Sequence, residues 1–299
     1  MGDIKCVPAG FEQSVAAELG NLVVAAYDQF DQSKGAPPKT PPSKWPLSAP
    51  YQLIAEFLAS PPKHGPDKFG FVARRIDTGD FFVIFRGTQT INDWLANIDF
   101  LQVDQQHGWG KTEKGFSGVY SGCSGTIINA LKNAGNPRHV FVAGHSLGGS
   151  LATLGAADVR ASLGASTTLY AFASPRTGNR DFAGKFNVEC PVTWRIVNTE
   201  DIVNTVPLAT AAVKELDLEG LDTAVRVLER FPAPAGVKQR LERVQSIFTG
   251  ANYEHVGTSV DFTQHDGSIV ANHDMATYLN ALGVKINTPL AQTAAASKR

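Results

Sequence analysis

One stretch constrains this chain more than any other. Val140-Phe141-Val142-Ala143 is a short, fully apolar run suited to a buried central strand. Gly144-His145-Ser146-Leu147-Gly148 follows at once, and Ser150 to Leu163 is a run of good helix formers. A strand must therefore turn sharply into a helix at Ser146. Side chains two residues either side of that turn would collide with neighbouring backbone, so both places want glycine, and both have it. Such a turn is expected to lift the Ser146 hydroxyl into the open and to lay its backbone at a helix N-terminus, which favours developing negative charge.

The rest of the chain repeats the alternation. Phe69 to Ile76 and Phe81 to Phe85 are rich in strand formers and are joined by Asp77-Thr78-Gly79-Asp80, a hairpin signal. Phe116 to Asn133 reads as helix, Thr167 to Ala173 as strand, Asn179 to Phe186 as a short helix and Thr193 to Asn198 as strand. Val256 to Phe262 is a last strand and Ala271 to Leu282 a last helix. Upstream, Phe11 to Phe30 has one apolar face and predicts an amphipathic helix, and Tyr51 to Leu58 predicts a shorter one. This order predicts an α/β fold with a mostly parallel sheet covered on both faces. The proline-rich stretch 34–50 reads as a surface loop, and 209–250 as a helical insertion containing two amphipathic stretches. The whole chain, 1–299, is read as one domain with no internal repeat.

Composition removes several classes of function. Lys and Arg total 27 against 28 Asp and Glu, so no basic stripe is available to grip a phosphate backbone, which argues against nucleic acid as partner. No apolar run approaches the ~18 residues of a membrane-spanning helix. The three cysteines, Cys6, Cys123 and Cys190, form no CxxC pair, so zinc and a disulfide framework are poor readings and reduced buried thiols are preferred. The first residues lack the apolar stretch of a secretory signal; either the protein stays inside or its leader is missing from this sequence.

Serine is a weak nucleophile at neutral pH and needs a base that is itself held by an acid. In strand–turn–helix sites of this kind the partners follow in the order serine, acid, histidine. His64, His107 and His139 precede the serine, and His145 inside the turn reads as a packing or hydrogen-bonding residue. His255, His265 and His273 remain. For the acid, Asp201 lies in the polar turn after Thr193 to Asn198, at the carboxyl end of a strand where such groups collect, with Glu200 as the decoy beside it.

Several motifs in one order resemble those of the class 3 lipases, α/β-hydrolases of the fungal triacylglycerol-lipase type, from about Phe69 to Leu282. Phe82-Val83-Ile84-Phe85-Arg86-Gly87-Thr88 resembles the family's strand and oxyanion turn, and Asp93-Trp94-Leu95 its lid. Gly115-Phe116 with Tyr120, Gly144 to Gly149, and Phe172 to Asn179 resemble further family stretches, with Ala173 where a glycine is usual. Arg195-Ile196-Val197-Asn198 with Asp201, Val206-Pro207, His255-Val256-Gly257, and His273 with Tyr278 complete the series.

The resemblance implies an α/β-hydrolase fold with a short helical lid, and ester hydrolysis without metal or organic cofactor. It implies Ser146 as nucleophile, Asp201 as acid, His273 as base and His255 as a structural histidine. Thr88 would supply an oxyanion donor, with the Leu147 N–H as the second. The lid, 90–98, has support of its own: Ile91, Trp94, Leu95 and Ile98 recur at helical spacing and form one apolar stripe. That stripe could open onto a lipid surface or stay packed on the core. The segment 209–250 could cap the acyl groove or remain a solvated excursion. The implied substrate is an ester lipid, most simply an acylglycerol, with short-chain carboxylesterase and phospholipase A1 as alternatives. A non-catalytic lipid-binding scaffold is the alternative of another class.

Overall fold

In the computed structural model, residues 4, 7–33, 47, 49–61, 65–88, 101–207 and 252–284 are described. The lid reading at 90–98, the insertion at 209–250, most of the loop at 34–50 and Cys6 lie outside them.

A sheet of seven strands forms the centre. Its order is β1 (Tyr51–Ala59), β2 (Asp67–Arg75), β3 (Phe81–Phe85), β6 (His139–His145), β7 (Ser166–Phe172), β9 (Val192–Asn198) and β11 (Thr258–Phe262). From β3 onward every pairing is parallel; β1–β2 and β2–β3 are antiparallel. The parallel strands are joined by right-sized crossovers: α3 (Leu147–Leu163) between β6 and β7, and α4 (Arg180–Glu189) between β7 and β9.

Helices cover both faces, as the alternation predicts. Side chains along β3 divide strictly by parity: Val83 and Phe85 join a cluster with Tyr120 and Ile127 of α2 (Lys114–Asn133), while Phe82 and Ile84 join Leu19, Val23 and Ala26 of α1 (Gln13–Ser33). Period-two alternation of a strand buried on both sides requires apolar residues at every position, which is why Phe81 to Phe85 reads as an unbroken run. The second cluster also takes Met275, Tyr278 and Leu279 of α6 (Met275–Ala281). Helices α1 and α6 approach so closely that a Cβ at Gly20 would sit 2.6 Å from Leu279 Cδ2.

Three details depart from the sequence expectations. Tyr51 to Leu58 is not a helix but strand β1, paired with β2 from Tyr51 opposite Arg75 to Ala59 opposite Asp67. A short apolar run fits either period, and the open edge of β2 decides between them. Ala271 to Leu282 is not one helix. The Ser268 hydroxyl caps α5 (Ile269–Asn272) by accepting from Ala271 N–H, and the Asp274 carboxylate caps α6 by accepting from Ala276 N–H. His273 is left at the joint. Finally, β4 (Gln102–Asp104), β5 (Lys111–Glu113), β8 (Gly178–Asn179) and β10 (Tyr253–Glu254) form a small second sheet that no periodicity announces, because strands of two or three residues carry none.

Candidate active site

Ser146 stands between the last residue of β6 and the first of α3, with φ 58° and ψ −130°. A non-glycine residue there costs on the order of 1–3 kcal/mol, which the surrounding packing must hold. The flanking glycines do so by absence of side chain. A Cβ at Gly144 would lie 2.0 Å from Gly148 O, and one at Gly148 would lie 2.3 Å from Arg86 O. Gly87 abuts the turn from the other side, with a hypothetical Cβ 2.8 Å from Ser146 Cβ. The Ser146 hydroxyl is buried, not open as the turn alone suggests.

Asp201 and His273 meet. Nδ1 of His273 lies 2.7 Å from Asp201 Oδ2, and both side chains are buried. The other carboxylate oxygen accepts from Val203 N–H at 3.0 Å, and Tyr278 Oη donates to Oδ2 at 2.6 Å. Burial, and next the charge of Asp201, hold the Tyr278 phenol well above its ordinary pKa, so it stays a donor. With Nδ1 committed to the carboxylate, Nε2 of His273 carries the lone pair. That atom and Ser146 Oγ are both buried and have no hydrogen-bond partner among the described residues; no hydrogen bond joins them.

The joint at His273 is fixed from several directions. Asn198, at the end of β9, donates through Nδ2 to Asn272 O at 3.0 Å and to Gln264 O at 2.9 Å. Asn204 Nδ2 reaches Tyr278 Oη at 3.2 Å. His145 Nε2 lies 2.8 Å from His273 O, and its Nδ1 lies 2.8 Å from Tyr27 Oη. His145 thus bonds away from the serine, as read from the sequence. Burial, and then the neighbouring His273, push its pKa well below the ordinary histidine value.

The remaining candidates separate cleanly. His255 Nε2 bonds Asn204 O at 2.8 Å, and burial followed by Arg195 and Arg176 lowers its pKa to about 2, so it is a neutral structural residue. His265 is exposed, and its Nδ1 lies 3.3 Å from Glu200 Oε2, which removes both from the site. Thr88 Oγ1 is buried without a hydrogen-bond partner among the described residues. Leu147 begins α3, where helix geometry leaves the first N–H groups without internal acceptors. Ile91, Trp94, Leu95 and Ile98 lie outside the described residues. Cys123 and Cys190 are free and buried, and burial raises their pKa to about 12 and about 11. Among the described residues, no cluster of His, Cys, Asp and Glu is arranged to hold a metal ion, and no helix is long and apolar enough to cross a membrane.

Sequence reasoning missed Tyr27, Asn198 and Asn204 as parts of the site and gave Tyr278 no role. Tyr278 and Asn198 left a signal, each standing in a motif, the one with His273 and the other with Asp201; Tyr27, on a helix far along the chain, left none.

The parallel sheet with its strand–turn–helix serine defines an α/β-hydrolase. Residues 82–211 match the model of the family described as lipase (class 3). The chain is 25% identical over 252 residues to the chloroplastic phospholipase A(1) DAD1 of Arabidopsis thaliana, covering 74% of this chain and 53% of that protein. It is 34% identical over 146 residues to the secreted mono- and diacylglycerol lipase A of Penicillium cyclopium, covering 48% of each. A solved triacylglycerol lipase with a serine-protease-type triad superposes with TM-score 0.54 at 26% identity, over 67% of this chain and 77% of that one. The chain spans about half the length of the two sequence relatives.

Proposed function

We propose that the protein hydrolyses carboxylic esters of lipids, acylglycerols first among them, through an acyl-enzyme on Ser146. The observation that carries this reading is the buried Asp201–His273 hydrogen bond with the far imidazole nitrogen and the Ser146 hydroxyl both left bare. Unpartnered buried polar atoms are costly, and two of complementary type at one site point to a substrate that completes the relay.

In this reading His273 Nε2 takes the Ser146 proton as Oγ bonds to the ester carbonyl carbon. The carbonyl oxygen becomes an oxyanion held by Thr88 and the Leu147 N–H. Its collapse breaks the bond to the alcohol, which leaves with the proton from His273. Water then gives a proton to His273 and adds to the acyl carbon, and Ser146 Oγ recovers that proton as the carboxylic acid departs. Asp201 orients the imidazole and stabilises its cation. The test is hydrolysis of a p-nitrophenyl ester: Ser146→Ala should abolish it, and activity near wild type in the folded variant removes the mechanism.

Phospholipase A1 activity is the second reading. It is favoured by the extent of the match to the Arabidopsis phospholipase, which runs well beyond the family core. Release of fatty acid from phosphatidylcholine against release from diacylglycerol separates the two. Filled triad positions argue against a non-catalytic scaffold, and labelling of Ser146 by a fluorophosphonate tests that directly. The apolar stripe Ile91, Trp94, Leu95 and Ile98 supports contact with a lipid interface. A rate jump as a short-chain ester passes its solubility limit is the expected sign; smooth saturation favours a carboxylesterase.

A further inference from the structure

Gly87 is held by both of its polar backbone groups. Its N–H donates to Tyr27 Oη at 2.9 Å, and its C=O accepts from Arg86 Nη1 at 2.7 Å. Neither partner belongs to the triad or the oxyanion donors. Tyr27 comes from α1, at the far start of the chain. Arg86 is buried, with its guanidinium carbon 3.7 Å from the centre of the Phe30 ring and 4.3 Å from that of Phe69, and its Nε donates to Lys68 O at 2.6 Å. Burial lowers the Arg86 pKa only to about 10, so the group remains a cation at neutral pH.

We propose that Tyr27 and Arg86 are positioning residues for the oxyanion turn: together they clamp Gly87 so that the Thr88 N–H is aimed at the Ser146 site. The proposal rests on reading Thr88 as an oxyanion donor. Gly87 C=O and Thr88 N–H belong to one planar trans peptide and point in opposite directions. Fixing the carbonyl on the guanidinium therefore fixes the N–H on the other side. A charge-assisted bond to the carbonyl also polarises the unit and strengthens its N–H as a donor.

Tyr27 adds a second link. Its oxygen accepts from Gly87 N–H, and its proton goes to His145 Nδ1, 2.8 Å away, because the other nitrogen of that neutral ring faces a carbonyl oxygen. His145 must then be protonated on Nε2, which donates to His273 O at 2.8 Å. One directed chain of hydrogen bonds thus runs from the oxyanion turn through Tyr27 and His145 to the backbone of the catalytic histidine. An oxyanion donor must be in place before charge develops, and rigid supports of this kind supply that preorganisation.

The test uses Tyr27→Phe in the full chain, with p-nitrophenyl butyrate as substrate and butylboronic acid as the tetrahedral mimic. The expected result is a ~10–100-fold fall in kcat with KM within about twofold of wild type, and boronate inhibition weakened by the same factor as kcat. Arg86→Lys keeps a cation but loses the planar fork, and should show the same split where it folds; Tyr27→Phe decides where it does not. A folded Tyr27→Phe protein with wild-type kcat overturns the proposal, as does a raised KM with unchanged boronate inhibition. A lowered melting temperature with kcat retained marks a merely structural role and also overturns it. Wild-type protein without ester hydrolysis would remove the hydrolase reading itself, whereas an active wild type with an unaffected variant removes the clamp alone.

Discussion

Tyr278 donates its hydroxyl to Asp201 at 2.6 Å, on the same carboxylate oxygen that faces His273 Nδ1 at 2.7 Å. The phenol spreads part of the carboxylate charge away from the imidazole. Tyr278→Phe should therefore concentrate that charge on His273 and favour the imidazolium. The acid limb of the kcat/KM profile should move to higher pH, and kcat/KM at neutral pH should fall about tenfold for loss of one buried hydrogen bond. A pH–rate series on a soluble ester reads both. Because Asn204 Nδ2 and Asn198 N–H also reach this hydroxyl, stability should drop by about 1–3 kcal/mol in urea.

Asp201→Asn keeps the shape but reverses the hydrogen-bond logic, since an amide nitrogen facing Nδ1 forces the wrong tautomer on His273. A loss of about 10⁴-fold in kcat is expected, with fold unchanged by circular dichroism. Glu200→Gln, one residue away and pointing to exposed His265, should leave kcat unaltered.

Thr88→Val removes a buried hydroxyl while leaving the backbone N–H. A fall of ~10²–10³ in kcat identifies the hydroxyl as a donor. An unchanged kcat assigns the oxyanion to the N–H groups alone.

Stability should decline on the acid side through histidines kept neutral. His255 is lowered to about 2, and His145 is also lowered, whereas both protonate near the ordinary value once unfolded. The unfolded chain then binds more protons below about pH 6.5, so stability is full above that pH and falls as pH drops from there toward 2. Each such group contributes a slope of about 1.4 kcal/mol per pH unit. His255→Gln should remove one slope's worth between pH 6 and 4, measured by urea midpoints.

Much of the site was legible because the turn at Ser146 demands particular residues: Gly144 and Gly148 stand where a Cβ would overlap backbone oxygen. Strands buried on both faces announce themselves likewise, as Phe81 to Phe85 does. Tyr51 to Leu58 was misread because edge strands are decided by a neighbour, not by their own pattern. The break at His273 was missed because Asp274 sits within an otherwise unbroken helical period, and only its side-chain cap reveals a new start. Tyr27 was invisible because it acts at a distance of 118 positions from the histidine that it touches.

The packing of α1 against α6 through Gly20 and Leu279 makes the working unit larger than the stretch of family likeness. A fragment trimmed to 82–211 would carry the serine and the acid yet forfeit His273, Tyr278 and the helix that bears Tyr27. Minimal versions for engineering must therefore preserve both extremities of the described core, which trimming to the family-model match alone would discard.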